Sequence, residues 1–336
     1  MTRVLAVRLD NDGDVLLAGP ALRALAAGAD RVALLCGPRG RRAAELLPGV
    51  DELIVWRAPW IDAEPDPVSR EDLDALVAEV AAFAPDRALI FGSFHQSPLP
   101  TALALRLAGV PWIGAVSIDY PGSLLDLRRA DPGDVHEVER SLGLAADAGF
   151  PLPPGDDGRL AVKRSASPVD GRYVVVHPGA SVPARAWSPE RNAELVAALA
   201  ASGRRAVVTG SEAERALTAR VAGTAGLDLG GATDLAGLAG VLAGADAVVV
   251  GNTGPAHLAA AVGTPVVSLF APTVPAARWR PYAVEHELLF VDVPCAGCRA
   301  RECPVPGHPC VEGVTVSDVL AALQRLAPAP AEAVAA

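Results

Sequence analysis

Residues 9–22 read LDNDGDVLLAGPAL. An apolar run, Val4 to Leu9, ends in Asp10, Asp12 and Asp14, spaced around Gly13. Apolar residues then resume at helical spacing. Three carboxylates where a strand meets a helix repel a phosphate, so this loop is no phosphate cradle. Its residue types suit a helix cap or proton chemistry. Asp10 and Asp12 read as solvated turn or cap residues, which such loops favour. Asp14 follows Gly13 and precedes a helix. A tight turn at Gly13 would aim its carboxylate out of the sheet's end, where it serves as a general base. Asn11 and Gly13, in the same turn, fall to the acceptor side of such a reaction.

Three later strand-to-helix joints could bind phosphate or ribose hydroxyls. In GNTGPAHLAAAVGTPVVSLFAPT, residues 251–273, a strand runs into Gly251-Asn252-Thr253-Gly254 and a helix begins. Asn252 or Thr253 can cap that helix, and Pro255 suits its first turn. Free amides at a helix start attract phosphate, and His257 falls one turn in. The other reading is a capped core helix with a buried histidine. In HPGASVPARAWSPERNAEL, residues 177–195, a small-residue loop carries Arg185 before Trp187 and a Ser188-Pro189 helix start. Small residues let amides approach an oxyanion, and Arg185 can give paired bonds to a phosphate. A surface loop with a solvated arginine is the alternative. In TGSEAERAL, residues 209–217, Glu212 or Glu214 can accept from ribose hydroxyls, although acids are favoured in any first helical turn.

Two further clusters stand out. Arg39, Arg41 and Arg42 lie where a helix should start, opposing its dipole. Such a cost is tolerated where an anionic acceptor binds, or where the three form a solvated basic face. Cys295, Cys298, Cys303 and Cys310, with His308 between them, have the residue types of a structural zinc site. Disulfides on oxidation, or simple bracing of a loop, are the other roles open to them.

The elements that must position these residues follow a regular rhythm. RVLAV, VALLC, LIVW and ALIFG read as buried strands, separated by helical stretches such as residues 70–84. This argues a parallel, doubly wound α/β sheet. The rhythm breaks in the Pro-, Gly- and Asp-rich stretch 151–171 and restarts at YVVVH. The expected organisation is an N-terminal domain over 1–155, a linker over 156–171, a C-terminal domain over 172–327 and a disordered tail over 328–336. Two such domains leave a cleft between the carboxyl ends of their sheets.

Composition narrows the function class. The 336 residues carry a net charge of −10, with Lys163 the single lysine. That balance argues against a nucleic-acid partner. No apolar run approaches the ~20 residues of a membrane span, and the N-terminal apolar stretch is too short for a signal peptide. A cytoplasmic protein is expected, compatible with transient contact at a membrane surface.

In their order, the motifs at 177–195, 209–217 and 251–273, with DGDVLLAGPALRAL and HEVERSLGL (136–144), resemble glycosyltransferase family 9, the ADP-heptose:lipopolysaccharide heptosyltransferases. The resemblance implies a GT-B fold of two Rossmann-like domains facing a cleft, the first binding acceptor and the second the nucleotide-sugar. It implies inverting, metal-independent glycosyl transfer, plausible for heptose from ADP-heptose, with the nucleotide-sugar as substrate and no cofactor. Carried over by residue, Asp14 matches the catalytic aspartate. Ser181 and Arg185 match donor-phosphate contacts, Glu214 the ribose acid, Thr233 a neighbour of the base, and Thr253, Gly254 and His257 the diphosphate loop. Asn252 stands where the family often has Asp. The alternatives are another nucleotide-sugar enzyme of GT-B fold, such as an epimerase, or a non-catalytic nucleotide-sugar-binding protein.

Overall fold

The computed structural model describes residues 1–62 and 64–328. The chain divides into two compact units between Lys163 and Arg164. In the first unit the elements run β1 (Arg3–Arg8), α1 (Asp12–Gly28), β2 (Arg31–Cys36), α2 (Arg41–Leu46), β3 (Glu52–Val55), α3 (Arg70–Phe83), β4 (Arg87–Ile90), α4 (Leu99–Leu107), β5 (Ile113–Val116), β6 (Leu127–Arg129) and α5 (Glu137–Asp147). The second runs β7 (Val174–His177), α6 (Pro189–Ala201), β8 (Ala206–Val208), α7 (Arg215–Ala222), β9 (Leu227–Asp228), α8 (Leu235–Ala243), β10 (Ala247–Gly251), α9 (Gly254–Ala261), β11 (Val266–Leu269), α10 (Ala276–Trp279), β12 (His286–Leu289), α11 (Pro309–Glu312) and α12 (Val316–Leu326).

Each unit holds one six-stranded sheet, ordered β3-β2-β1-β4-β5-β6 and β12-β11-β10-β7-β8-β9. Every strand pair is parallel. Both orders are the doubly wound Rossmann arrangement, so the expected α/β architecture of the GT-B kind, with two Rossmann-like units in tandem, is the one found. Continuous apolar strands such as Val4–Val7 and Val174–Val176 are fully buried because helices cover both sheet faces. In such a sheet, ligands bind beyond the carboxyl ends of the strands where the strand order reverses. That point lies between β1 and β4 in the first unit and between β7 and β10 in the second.

Residues 156–163 of the expected linker are fastened to the first unit. The Arg23 guanidinium on α1 grips Asp156 at 2.7 and 2.8 Å and donates to the Arg159 carbonyl. That grip holds the Asp156 carboxyl down at about 2. The Lys163 amide donates to the Leu46 carbonyl. Among the described residues no helix is long and apolar enough to cross a membrane. The expected tail lies outside the described residues from position 329 onward.

Candidate functional site

At the first switch point the central residue is Arg8, the one charged residue within the run Val4 to Leu9. Its side chain is 1 % exposed, and it ends β1. One guanidinium nitrogen donates to the Phe91 carbonyl at 3.0 Å, and another to Ser93 Oγ at 2.9 Å, both just beyond β4. Three carboxylates surround it: Asp10 at 2.9 Å, Asp14 at 3.0 Å and the fully buried Glu137 of α5 at 3.7 Å. Burial works against the charge on Arg8, but these carboxylates outweigh it and raise its pKa. With one cation for three acids, burial pushes the Asp10 carboxyl up to about 6 against the pull of Arg8. Glu137 belongs to the HEVERSLGL stretch, residues 136–144.

The local geometry of the opening loop corrects two expectations. Asp10 is not a solvated turn residue, since its side chain is only 10 % exposed and also accepts from Gln96. Asp12 is not solvated either. It pairs with Arg42 at 2.8 Å and accepts from the Ala43 amide at 3.1 Å, so it serves the start of α2. Nor does Gly13 make a tight turn: α1 begins at Asp12 with Asn11 as its N-cap, and Gly13 and Asp14 lie in its first helical turn. The helix itself presents Asp14, with Oδ1 held by Arg8. Oδ2 carries no hydrogen bond among the described residues and is open to a proton.

The three arginines at the start of α2 are not unopposed cations. Arg39 pairs with Asp62, Arg41 with Glu45 and Arg42 with Asp12. Local carboxylates offset the dipole cost, so that cost no longer points to an anionic ligand.

At the second switch point, the loops expected to hold a donor come together. A Cβ on Gly251, at the end of β10, would stand 2.6 Å from the Arg185 carbonyl. Only glycine lets the Arg185 loop close on the start of α9. Likewise a Cβ on Gly179 would stand 2.0 Å from Glu214 Oε1. The loop after β7 therefore approaches Glu214 through Gly179 and Gly251 through the Arg185 carbonyl. Arg185 ends a short 3-10 turn, Pro183–Arg185, and Ser188 caps α6 by accepting from the Arg191 amide at 3.4 Å. Ser181 lies exposed in the same loop.

Of the two candidate acids, Glu214 faces the site. Its Oε2 accepts from the Ser211 amide and hydroxyl, both at 2.7 Å. Although burial works against the charge, those bonds hold its carboxyl below the usual range. Oε1 has no hydrogen bond among the described residues. Glu212 is exposed and spends its charge on Arg215 at 2.8 Å. Thr233 stands next to Asp234, the N-cap of α8. The Gly231 amide ties that loop to the Gly210 carbonyl at 2.9 Å. His177, at the end of β7, also belongs to this cluster and was missed. It is buried against Thr209 Oγ1 at 2.9 Å, and burial lowers its pKa despite nearby Glu214.

Thr253 is the N-cap of α9, with no side-chain cap bond, and His257 is buried one turn in. The Asn252 side chain braces the loop after β11. Its amide nitrogen donates to the Ala271 carbonyl, and its amide oxygen accepts from the Ala271 amide, each at 3.2 Å. An amide satisfies both backbone groups, whereas a carboxylate satisfies one and opposes the other. Asn252→Asp should therefore cost about 1–3 kcal/mol of stability. Thermal unfolding checks this, and an unchanged Tm would contradict it.

Cys36 is buried, and all five cysteines are free thiols. Among the described residues no group of three or more His, Cys, Asp or Glu is arranged to hold a metal ion. Burial, then the neighbouring thiols, push the Cys310 thiol up.

Known proteins resemble this chain in sequence and in fold. Over 175 residues the chain is 36 % identical to lipopolysaccharide heptosyltransferase 1 of Pseudomonas aeruginosa. That stretch is 50 % of this chain and 48 % of that protein, so about half of the relative is matched. The crystal structure of a glycosyl transferase family 9 protein from Veillonella parvula superposes with a TM-score of 0.76 at 17 % identity, covering 97 % of each chain. E. coli heptosyltransferase WaaC with ADP-2-deoxy-2-fluoro heptose gives a TM-score of 0.73 at 22 % identity, covering 96 % of this chain and 99 % of that one. At such identities these two likenesses establish the fold. The profile of glycosyltransferase family 9 (heptosyltransferase) matches residues 99–308, and the chain belongs to that family.

Proposed function

We propose that this protein is an inverting glycosyltransferase that moves a heptose from ADP-heptose to a hydroxyl of a lipopolysaccharide core or similar surface glycan. The observation that carries the reading is the loop after β7, which holds Arg185 and approaches Gly251 through the Arg185 carbonyl and Glu214 through Gly179, at the switch point of the second sheet. Arg185 and the free amides at the start of α9 neutralise the leaving diphosphate. Ser181, Thr253, Gly254 and His257 complete that contact. Glu214 accepts from the ribose hydroxyls through Oε1, and Thr233 flanks the base. The first unit takes the acceptor beside Asn11 and Gly13, with Asp14 as general base.

In the reaction the acceptor oxygen attacks the anomeric carbon. A new C–O bond forms as the bond from that carbon to the diphosphate oxygen breaks. ADP leaves with the electron pair, and the hydroxyl proton passes to Asp14 Oδ2. The positive charge needed by the leaving group comes from Arg185 and backbone amides, so no divalent cation is required.

Arg185→Ala should weaken ADP binding by about 1.5–3 kcal/mol, the range for a hydrogen bond from a charged group. That is roughly ten- to a hundredfold in Kd. Calorimetry with ADP measures it directly, and an unchanged Kd would remove Arg185 from the donor site.

A further inference from the structure

The cysteine-rich segment lies outside the donor motifs, yet its hydrogen bonds run to the loops that carry them. The Gly297 amide donates to the Pro272 carbonyl at 2.7 Å and the Arg299 amide to the Thr273 carbonyl at 3.0 Å. These bonds reach the stretch that Asn252 grips through Ala271. On the other side, the Ala184 amide donates to the Arg301 carbonyl at 2.9 Å, and His308 Nε2 lies 3.1 Å from the Ala184 carbonyl. At the segment's end, Glu312 on α11 receives Ser188 twice. Oε1 accepts from the Ser188 amide at 2.6 Å, and Oε2 from the Ser188 hydroxyl at 2.9 Å.

Glu312 therefore closes the far end of the Arg185 loop. Ala184 is pinned one residue before Arg185, and Ser188 three residues after it. The placement is electrostatically adverse for a site that takes a diphosphate, because a carboxylate repels the ligand. A negative charge there is explained by what it holds: a carboxylate can accept from both donors of Ser188 at once, leaving that residue in place as the cap of α6.

We propose that Glu312 is a positioning residue for the donor diphosphate, fixing through Ser188 the loop that aims Arg185. This rests on the assignment of Arg185 to the donor site. Geometry and charge pull in opposite directions here, so two substitutions separate them. Glu312→Gln removes the charge but keeps one oxygen for the amide and offers an N–H to the hydroxyl. Glu312→Ala removes the charge and the hold together.

The test is calorimetric titration of ADP into the full-length protein and its variants. Glu312→Ala should bind ADP about tenfold more weakly, while Glu312→Gln should bind as tightly as the parent or more so. In the Arg185→Ala background, Glu312→Ala should add nothing, because there is no guanidinium left to aim. Glu312→Asp keeps the charge but draws the oxygens back by one methylene. It should weaken ADP in the same sense and carries the test if the alanine variant does not fold. Unchanged or tighter binding in Glu312→Ala, or a full additional loss in the double variant, overturns the proposal while leaving Arg185 at the donor site. No effect of Arg185→Ala on its own overturns both.

Discussion

Replacing Asp14 by Asn should cut turnover by a factor of about 10²–10⁴, the usual worth of general-base help. That is about 3–5 kcal/mol of barrier. The substitution is close to isosteric, and an Asn oxygen can still accept the bond that Arg8 now gives to Oδ1. What is lost is the open Oδ2, the atom proposed to take the proton. Asp14 sits in the first turn of α1 but is not its cap, a place held by Asn11. Stability should therefore change only by the few tenths of a kcal/mol, up to about 1, that an acid near a helix N-terminus contributes. ADP affinity should be unchanged, because every residue proposed for the donor belongs to the second unit. Near-normal turnover in the Asn variant would strip Asp14 of its catalytic role.

Arg8→Met should have the largest effect on stability. Methionine keeps an unbranched apolar stem in place of the aliphatic part of the side chain and removes the guanidinium and its charge. It leaves Asp10, Asp14 and the fully buried Glu137 without their common cation. Removing one partner of a buried ion pair typically costs about 3–5 kcal/mol. The pH dependence has a definite sign. The Asp10 carboxyl already stands at about 6 in the folded protein, above its ordinary value of 3.8. A group with a raised folded pKa favours the folded state at low pH, and that contribution is lost as pH rises through the folded value. Without Arg8 the Asp10 carboxyl, which Arg8 now holds down, rises further. The penalty should be full near pH 8 and shrink toward pH 5, where protonation relieves it. Urea unfolding at the two pH values measures this, and a small loss that is equal at both would contradict the network.

The repeated strand–helix rhythm was legible because buried parallel strands are continuous apolar runs, and these are local in sequence. Ser188-Pro189 marks the start of α6 for the same local reason, with Ser188 at the cap and Pro189 at the first position. The donor loops were legible as glycine- and small-residue joints. Their meeting was not, since it depends on the absence of a Cβ at Gly179 and Gly251 opposite groups far along the chain. Arg8 was missed for a similar reason. A lone arginine after four apolar residues looks like the end of a strand, and its partners Phe91 and Ser93 lie 83 and 85 positions away. The charges of Arg39, Arg41 and Arg42 were visible, but the carboxylates that neutralise them were not. Asn252 looked like a cap residue because the strand-to-helix joint favours one, yet its amide is committed to Ala271 on the neighbouring strand's loop.

Single displacement by an activated hydroxyl makes one demand that no binding measurement touches: the anomeric centre must invert. The direct test is the anomeric configuration of the product, read by NMR after reaction of the protein with ADP-heptose and a heptose-deficient lipopolysaccharide core. Inversion relative to the donor is the result expected of Asp14 acting as base. Retention would require a covalent or front-face route and would contradict that role.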